Sequence, residues 1–214
     1  MTRQARAVET RAAIIRAAAD IFGVRGYGGA SMADICEAAG LTKGALYFHF
    51  DSKEALALGV IDAQHERALA LGADLLHSDQ PGLHVLMRLT FELGKQVRDD
   101  AVSRAGIRLT MESSSLSTPV VAPYEDWMAA CELLLRRAIL DGDVRDDLDV
   151  AAAAHFISPA FTGVQVVSGV LTGRADLMQR VVEMWSFVLP GLVVPERWEQ
   201  LRPLAQEMAD LWGR

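Results

Sequence analysis

A chain of 214 residues, of which 51% are hydrophobic, is long enough to bury a substantial core and fits one large domain or a small domain joined to a larger one. No run reaches the roughly 18 uncharged apolar residues of a membrane span, and the segment 1–6 lacks the apolar stretch of a signal peptide. We therefore expect a cytoplasmic protein with no membrane partner. Cys36 and Cys131 have no metal-type spacing, so we expect two buried free thiols, no metal site and no cofactor.

The net charge of −7 is unevenly distributed along the chain. Residues 1–53 hold seven basic and five acidic side chains, a net charge of +2, so the remainder carries −9. A mildly basic first segment on an acidic body is consistent with binding one DNA surface through local contacts while avoiding indiscriminate adhesion. Charge alone would not have suggested DNA.

The first helix is predicted from apolar residues that recur at helical spacing and would form a small core. They are Ile14, Ile15, Ala18, Ile21 and Phe22. Arg3 and Arg6 lie at the start of this helix, where they either reach phosphates or a minor groove or form a solvated terminus. The glycine-rich segment 26–29 is expected to end the helix.

Two short helices joined by a tight turn are predicted next. Ser31 has the pattern of an N-cap with Asp34 as its capping-box partner, and Gly40 supplies the C-terminal stop. Thr42 then caps a second short helix. This arrangement is that of a helix-turn-helix, in which the second helix reads the DNA.

The outward side chains of the second helix suit phosphates and base edges. They are Lys43, Ala45, Tyr47 and His49. Gly44 lets the backbone approach the nucleic acid closely, although a glycine here is also explained as an ordinary helix-weakening residue. Phe48 and Phe50 have an alternative role as core aromatics.

Residues 31–53 resemble the signature of the TetR family of bacterial repressors. The resemblance is strongest in the run Thr-Lys-Gly-Ala-Leu-Tyr-Phe-His-Phe at 42–50, followed by Lys-Glu-Ala-Leu at 53–56. It implies an all-helical homodimer with a three-helix DNA-binding domain over 1–52 and a larger ligand-binding and dimerisation domain over 53–214. Such a protein is a repressor that leaves double-stranded operator DNA when a small ligand binds. The candidate DNA contacts are Arg3, Arg6, Ser31, Thr42, Lys43, Gly44, Ala45, Tyr47, Phe48, His49 and Lys53.

A long helix should follow and join the two domains. Asp51 with Glu54 has the pattern of a capping box that opens a helix running to about Leu76. Lys53 in the first turn is poorly placed for the helix dipole, which a phosphate partner would explain. Gln64 is the polar exception on the apolar stripe, so it needs either a ligand or a neighbouring backbone group as partner.

Further helices carry the candidate ligand-binding residues. The helix after residue 82 has one polar residue on its apolar stripe, Thr90, whose hydroxyl either bonds to a ligand or bonds back to its own helix. A short helix over 101–112 leads to a polar loop, 112–119, where we expect flexibility or a pocket rim. Trp127 is expected to face inward from an amphipathic helix.

The acidic segment 141–149 lacks the Gly and distal Glu of a calcium loop, so we interpret it as a solvated turn with Asp149 capping the next helix. Pro159 should kink that helix and leave space beside it. The residues expected to line this space are Phe156, Phe161 and Thr162. His155 has no companions at metal-binding spacing, so a structural role is favoured.

A broad apolar stripe follows at residues 174–189, and it indicates either a dimer interface, formed with the preceding small-residue helix, or intrachain core. Its members are Met178, Val181, Val182, Trp185, Val188 and Leu189. A last helix over about 196–212 would pack Trp198, Leu201, Leu204, Met208 and Leu211 against the body.

Within the TetR family, segments downstream of the predicted DNA-binding domain are similar to the γ-butyrolactone (A-factor type) receptors of actinomycetes, which control antibiotic production. These segments are Met87–Phe91, Arg104–Leu109, the Trp127 helix with Leu134 and Leu135, Asp149 to His155, and Glu183–Trp185. In such receptors a tryptophan matching Trp127 lines the lactone pocket.

The resemblance implies a mostly apolar pocket, which suits a small acyl lactone. Its walls would be Met87, Trp127 and Phe161, and its hydrogen-bonding groups Gln64, Thr90 and Thr162. A repressor of the same family sensing an antibiotic or drug is the alternative function. A helical protein-binding module is a further alternative, and no catalytic set of residues indicates an enzyme.

Overall fold

The computed structural model describes residues 3–212, and within them the regular structure is helical apart from one isolated bridge between Val144 and Val193. The helices are α1 (Arg3–Gly29), α2 (Met32–Ala38), α3 (Lys43–His49), α4 (Lys53–Leu76), α5 (Gly82–Asp99), α6 (Ala101–Met111), α7 (Ala122–Leu140), α8 (Val150–Thr172), α9 (Leu177–Leu192), α10 (Trp198–Leu201) and α11 (Leu204–Trp212). Short 3-10 turns lie at Ser113–Ser115 and Pro195–Arg197. The predicted all-helical class is confirmed.

The chain forms two compact units. The first comprises residues 1–69 and 99–121, and the second comprises residues 70–98 and 122–214. The continuous helix α4 therefore contributes to both units, and α6 with the loop after it packs with the helix-turn-helix helices. The predicted domain boundary between residues 52 and 53 stays a prediction. The first compact unit combines the N-terminal helices with α6 and the loop after it, so it does not follow that boundary.

The first unit has one apolar core. Residues predicted from the α1 pattern, including Ile14, Ala18 and Phe22, are buried in it together with Ile35, Leu46 and Phe50 of the helix-turn-helix segment. Val102, Ala105 and Leu109 of α6 complete the same core. Burial of apolar side chains from α2, α3, α4 and α6 against α1 thus holds α2 and α3 in place.

The predicted stop of the first helix is confirmed at Gly26. The backbone there has φ +69°, a value that side chains other than glycine rarely adopt, and the helical run of α1 is interrupted at this point. The chain resumes a helical turn through Gly29 before α2. The glycine therefore redirects the chain into the helix-turn-helix.

The predicted capping box of α4 is wrong. The side chain that caps the first turn of α4 is Ser52, whose Oγ accepts the backbone N–H of Ala55 at 3.0 Å. Glu54 instead binds Ser117, 63 positions along the chain. Asp51 is exposed. Ser52, which directly precedes α4, is therefore the N-cap, one position after the predicted one.

The second unit is built around α5, α7, α8, α9 and α11. Its core includes the predicted α5 stripe, since Leu83, Leu86, Met87 and Val97 are buried. As predicted, Asp149 caps α8 by accepting the N–H of Ala152 at 3.0 Å. The helix continues through Pro159 to Thr172.

Two side chains of α8 differ from their predicted roles. Phe156, expected to line a space beside the helix, is exposed. His155, expected to have a structural role, is exposed as well. Helical periodicity predicts which side chains of α8 share a face. Only the packing of α8 shows which of these faces is buried.

The acidic segment between α7 and α8 is less solvated than predicted. Asp143 is buried, and its Oδ1 accepts two bonds from the Arg197 guanidinium, each at 2.9 Å. Asp141 accepts the N–H of Gly82 at 2.7 Å. Across residues 3–212 no group of three or more His, Cys, Asp or Glu side chains is placed to hold a metal ion. The segment thus fastens the start of α5 and the chain after α9.

The last predicted helix is divided into α10 and α11. The division falls at Arg202–Pro203, where proline lacks an N–H for continued helical bonding. Leu201, Leu204 and Met208 are buried as predicted, whereas Leu211 is exposed.

One helix of the described chain, α8, is long and apolar enough to cross a membrane by length and composition. Polar residues such as Ser158, Thr162 and Gln165 interrupt its apolar run, so it does not meet the criterion of about 18 consecutive apolar residues. Its contacts with α7 and α9 place it among the helices of the second unit. Cys36 and Cys131 are free and buried, as predicted.

Candidate functional site

The helix-turn-helix segment has the local bonding that the sequence predicts. The hydroxyl of Ser31 accepts the N–H of Asp34 at 3.2 Å, and the Asp34 carboxylate accepts the Ser31 N–H at 3.2 Å, which completes the capping box. Gly40 has φ +63°, as a left-handed helix stop requires. Thr42 accepts the N–H of Ala45 at 3.3 Å and so caps α3.

Ser31 is a structural residue as well as a candidate DNA contact. Its hydroxyl also donates to Asp34 at 2.6 Å, and Arg25 pairs with the same carboxylate at 2.9 Å. Hydrogen bonds from Ser31 and Arg25 lower the pKa of Asp34. These contacts tie α2 to the end of α1.

The surface of α3 combines a cation with exposed aromatic groups. Lys43 and Gly44 are exposed, Tyr47 is 49% exposed and Phe48 is 79% exposed. The alternative that Phe48 is a core aromatic is therefore wrong, whereas Phe50 is buried and belongs to the core. An exposed phenylalanine beside a lysine and a tyrosine suits contact with thymine methyl groups, base edges and phosphates.

The remaining candidate contacts on α3 and α1 differ in exposure. Ala45 and His49 are half-buried, and the His49 ring meets the edge of the Phe48 ring at 5.3 Å between centroids. Arg6 is an exposed residue of α1. The backbone of Arg3 begins α1, but its side chain lies outside the described part of the structure. Contacts of these residues with DNA stay predictions.

Lys53 has partners within the protein. Its Nζ donates to the carbonyls of Tyr27 at 2.9 Å and Ala30 at 3.1 Å, and it lies 4.4 Å from the centre of the Tyr27 ring. The unfavourable position of a cation in the first turn of α4 is thus explained by this carbonyl clamp. A phosphate is not required to account for it, although a contact with DNA stays a prediction.

A clamp from α6, which the sequence analysis missed, holds the turn before α2. Arg108 donates to the carbonyl of Gly23 at 2.8 Å, and Glu112 accepts the N–H of Tyr27 at 2.7 Å. Arg108 and Glu112 are themselves paired at 2.8 Å. A Cβ on Gly26 would lie 2.8 Å from Arg108. The partners are about 85 positions apart, so no local pattern could have indicated them.

Part of the polar loop after α6 packs within the first unit. Leu116 is buried in the core of the first unit, and both the N–H and the hydroxyl of Ser117 bind the Glu54 carboxylate. These two bonds lower the pKa of Glu54. Leu116 and Ser117 are thus held within the first unit, and flexibility or a pocket rim for residues 112–119 stays a prediction.

Gln64 lies in the first unit, at a close crossing of α4 and α6. It is 7% exposed, and a Cβ added to Gly106 would be only 2.4 Å from the Gln64 Cβ. The glycine permits this approach. Whether the Gln64 amide contacts a ligand stays a prediction.

Thr90 has hydrogen-bond partners within the protein, and its contact with a ligand stays a prediction. Its hydroxyl donates to the carbonyl of Met87 at 2.6 Å and accepts the indole N–H of Trp185 at 2.8 Å. All three residues are fully buried. The alternative, in which Thr90 bonds back to its own helix, is confirmed, and the second bond to Trp185 arises only from the packing of α5 on α9.

Three of the predicted pocket residues lie on α7 and α8 of the second unit. The Trp127 and Phe161 rings are 6.3 Å apart, and Trp127 is half-buried against the apolar core. Thr162 donates to the carbonyl of Ser158 at 3.0 Å. Met87 on α5 is buried in the same apolar core.

One turn beyond Phe161 is Gln165, which the sequence analysis did not single out. It is buried, and its Oε1 has no hydrogen-bond partner. The indole N–H of Trp127 is also buried without a partner. Gln165 lies four positions after Phe161 and therefore on the same face of α8, and this spacing could have indicated it from the sequence. We refer to Trp127, Phe161 and Gln165 as the Trp127 cluster.

The stripe on α9 that was assigned to either a dimer interface or the core is intrachain core. Met178, Val181, Trp185, Val188 and Leu189 are buried, so the interface assignment is wrong for these residues. A different apolar face of α8 and α9 is exposed, with relative exposures between 54% and 87%. Its large members are Phe156, Val167, Val170, Leu171 and Phe187.

Comparison with known proteins is consistent with this geometry. Residues 14–60 match the family profile "Bacterial regulatory proteins, tetR family", and residues 80–195, more than half of the chain, match "Tetracyclin repressor-like, C-terminal domain". The A-factor receptor protein of Streptomyces griseus is 37% identical over 205 residues, which are 95% of this chain and 71% of that protein.

Solved structures agree over nearly the whole chain. A crystal structure of a gamma-butyrolactone receptor described as ArpA-like matches with a TM-score of 0.84 at 35% identity, covering 96% of this chain and 99% of that chain. CprB from Streptomyces coelicolor in complex with its operator sequence matches with a TM-score of 0.82 at 35% identity, with the same coverage. The chain belongs to the TetR family of bacterial regulatory proteins and is a ligand-responsive DNA-binding regulator, not an enzyme.

Proposed function

We propose that the protein is a homodimeric repressor that a γ-butyrolactone-type signal releases from a palindromic operator, and that it controls secondary metabolism. The observation that carries the DNA-binding part is the exposed surface of α3, with Phe48, Tyr47 and Lys43 on a helix capped at Thr42. In a two-fold dimer the two α3 helices would enter successive major grooves about 34 Å apart.

The exposed apolar face of α8 and α9 supports the dimer. Exposed large apolar side chains grouped on neighbouring helices are typical of interaction sites, and a two-fold interface covers the same face on both subunits. Phe187 and Val170 are among its most exposed side chains. A second copy of the chain is the occupant we propose for this face.

The Trp127 cluster supports a small ligand with an apolar tail. Trp127 and Phe161 offer aromatic surface, and Met87 belongs to the same apolar core. Apolar lining with a few polar groups is the usual composition of such sites. The curated relative named A-factor receptor protein and the structure of a gamma-butyrolactone receptor favour a lactone over other apolar ligands.

Release requires that the ligand favour the conformation that leaves DNA. Moving a population from 1:99 to 99:1 takes about 5.5 kcal/mol of differential binding. The helix α4 is continuous from the first unit into the second, and Lys53 in its first turn holds the carbonyls of Tyr27 and Ala30. We propose that a shift of α4 moves this clamp and with it the spacing of the two α3 helices.

The DNA-binding part is tested with Phe48→Ala, measured by fluorescence anisotropy on the DNA upstream of the protein's own gene. We expect the Kd to rise about tenfold or more, the usual effect of losing one good base contact. The melting temperature should not change, because Phe48 is exposed. The control is Val24→Ala, an equally exposed side chain on α1, for which we expect no change. An unchanged Kd for Phe48→Ala would remove α3 from the proposed interface.

The ligand part is tested by adding a synthetic γ-butyrolactone with an acyl tail to the same complex. The lactone should release the wild-type protein, and Trp127→Ala should bind DNA normally but not respond. Leu133→Ala, an exposed side chain on the same helix, is the matched control. If lactones do not release the wild-type protein and it still binds DNA, the protein is a repressor that senses another ligand, such as an antibiotic.

A further inference from the structure

A group of ionisable side chains meets at the start of α5 in the second unit. His84 lies in the first turn of α5 and is half-buried, and its Nδ1 is buried without a hydrogen-bond partner. Asp143 is 1% exposed, and its Oδ1 accepts two bonds from the Arg197 guanidinium, whereas its Oδ2 is buried without a partner. Buried polar atoms in this state are rare, and each one needs an explanation.

The packing of α5 on the end of α7 brings these groups together. Asp141 accepts the N–H of Gly82 at 2.7 Å, and a Cβ on Gly82 would lie 2.6 Å from the backbone nitrogen of Ala138. The N–H of Asp143 bonds to the Ala138 carbonyl at 3.0 Å. Gly82 and Asp143 thus contact the same residue of α7, and His84 follows Gly82 by two positions.

Asp143 joins the loop after α7 to the chain after α9. Its carbonyl accepts the N–H of Val194 at 3.1 Å, and its carboxylate binds Arg197 at 2.9 Å. In the same loop, the N–H of Arg145 bonds to the Leu192 carbonyl at 3.0 Å. Because the Asp143 carboxylate is buried, weakening its arginine contact would leave a poorly compensated buried charge. The end of α9 is therefore held through this carboxylate.

Charges of both signs surround His84. The acidic groups are Asp141 and Asp143 of the loop and Glu207 of α11, and the basic group is Arg197 of the 3-10 turn. On α5 itself Arg88 lies one turn further along, and on α7 Arg137 packs against Gly82. The amino-terminal end of a helix also disfavours a cation. The surroundings of His84 thus oppose a positive charge on the ring, with Asp143 as the nearby group that would attract one.

We propose that His84 is a pH-sensitive contact of the second unit, which is uncharged at neutral pH and, once protonated in mild acid, competes with Arg197 for the Asp143 carboxylate. The unpaired Oδ2 of Asp143 is the acceptor for the new cation. The ring must move to reach it, because no hydrogen bond joins the two groups in the structure. Two cations at one buried carboxylate repel each other, so protonation weakens the attachment of the loop to α5 and to the end of α9.

The direction of the pH effect follows from the same surroundings. Burial is the largest influence and lowers the pKa of His84, Asp143 raises it and Arg197 lowers it, and the balance is a pKa below 6.5. As the pH falls below 6.5, the unfolded chain binds a proton that the folded chain does not yet bind, so stability decreases until the pH reaches the folded-state value. Well above pH 6.5 the ring is neutral in both states, and this contribution to the pH dependence is absent.

The first test is thermal unfolding of the full chain at about pH 7.5 and about pH 5.5, a range in which histidine is the side chain that ordinarily titrates. We expect the Tm of the wild type to fall by roughly 2–4 °C more than that of His84→Gln, since glutamine takes up no proton. Each protein is compared with itself at neutral pH, so the cost of the substitution cancels. The control is His77→Gln, an exposed histidine just after α4, which should show the same fall as the wild type. A fall in His84→Gln as large as that of the wild type overturns the proposal.

The second measurement does not depend on the stability of His84→Gln. An NMR titration of the His84 ring in the wild type should give a midpoint below pH 6.5, and Arg197→Met should move it upward, because the repelling cation is removed while Asp143 remains. Arg145→Met, which changes an exposed arginine of the same loop paired with Asp147, should not move it. A wild-type midpoint at or above pH 6.5, or one that Arg197→Met leaves unchanged, contradicts the proposal. Both measurements are made without DNA or lactone, so their outcomes are independent of the proposed repressor function.

Discussion

The helix-turn-helix region and the Trp127 cluster differ in whether their polar groups have hydrogen-bond partners within the protein. Around the head, Arg108, Glu112 and Lys53 bind backbone groups of the turn that enters α2. In the Trp127 cluster, two buried polar atoms have no partner. A surface that reads base edges needs one geometry, which internal bonds provide, whereas a ligand site gains selectivity when its polar groups are satisfied only by the ligand. Variants that disturb one side or the other test this comparison.

The largest effect is expected at the close crossing behind the head, with Gly106→Ala. The added Cβ would lie 2.4 Å from the Gln64 Cβ and 3.3 Å from the Val60 carbonyl, so α6 must move. We expect a loss of about 3 kcal/mol in the free energy of unfolding, which lowers Tm by roughly 6–12 °C for a chain of this size. Calorimetry provides the measurement.

The control for this variant is Gly23→Ala, a glycine of α1 with nothing within 4 Å of the position of a Cβ. It should be neutral or slightly stabilising, because alanine is favoured over glycine within a helix. If Gly106→Ala is as stable as the wild type, α4 and α6 can move apart at this crossing without loss of stability. The close contact of α6 would then not hold the helix-turn-helix region tightly.

A smaller effect is expected in the second unit from Thr90→Val. The variant removes the acceptor of the fully buried Trp185 N–H, which should cost about 2 kcal/mol as measured by thermal unfolding. Release by lactone should persist, since Thr90 is bonded internally. Thr110→Val is the matched control, because this buried hydroxyl bonds only to the Gly106 carbonyl of its own helix. Loss of the lactone response with unchanged stability would return Thr90 to the ligand site.

The smallest effect is expected from Glu112→Gln, and it depends on pH. Burial raises the pKa of Glu112, but hydrogen bonds from Arg108 and the Tyr27 N–H outweigh this and lower it. A carboxylate with a lowered pKa stabilises the fold above its unfolded-state pKa, near 4.5, and this contribution disappears as the pH falls through its folded-state value.

At neutral pH the Glu112→Gln variant should lose less than about 1 kcal/mol, since the pair is partly exposed and screened by solvent. Unfolding in urea at pH 7 and at pH 4 provides the measurement. The difference between wild type and variant should narrow as the pH falls. Glu132→Gln, which removes one partner of a more exposed ion pair on α7, should show almost no difference at pH 7. An effect of Glu112→Gln that grows towards low pH would contradict the clamp.

Several of the confirmed predictions have partners that are close in sequence. The Ser31–Asp34 capping box, the left-handed Gly40, the Thr42 cap and the Asp149 cap each involve groups within four residues. Their bonding depends on local backbone geometry, which a short segment determines. The family resemblance of α3 then supplied the functional interpretation.

The predictions that failed concern which partner a side chain finds. The stripe on α9 was the candidate for a dimer interface, with intrachain core as the alternative, because periodicity defines a face and not what covers it. Glu54 was assigned to its own N-cap, but Ser117 binds it from 63 positions away. Phe48 and Phe50 are two residues apart, yet one is exposed and the other buried.

The sequence by itself determined the helical pattern, the capped helix-turn-helix and the family. Only the tertiary structure decided that Arg108 and Glu112 hold the turn before α2. It also decided that the Trp185 indole donates to the Thr90 hydroxyl and that the side-chain oxygen of Gln165 has no hydrogen-bond partner. The physical reason is that helix formation and capping are local, whereas the partners of a buried polar group depend on how distant helices pack.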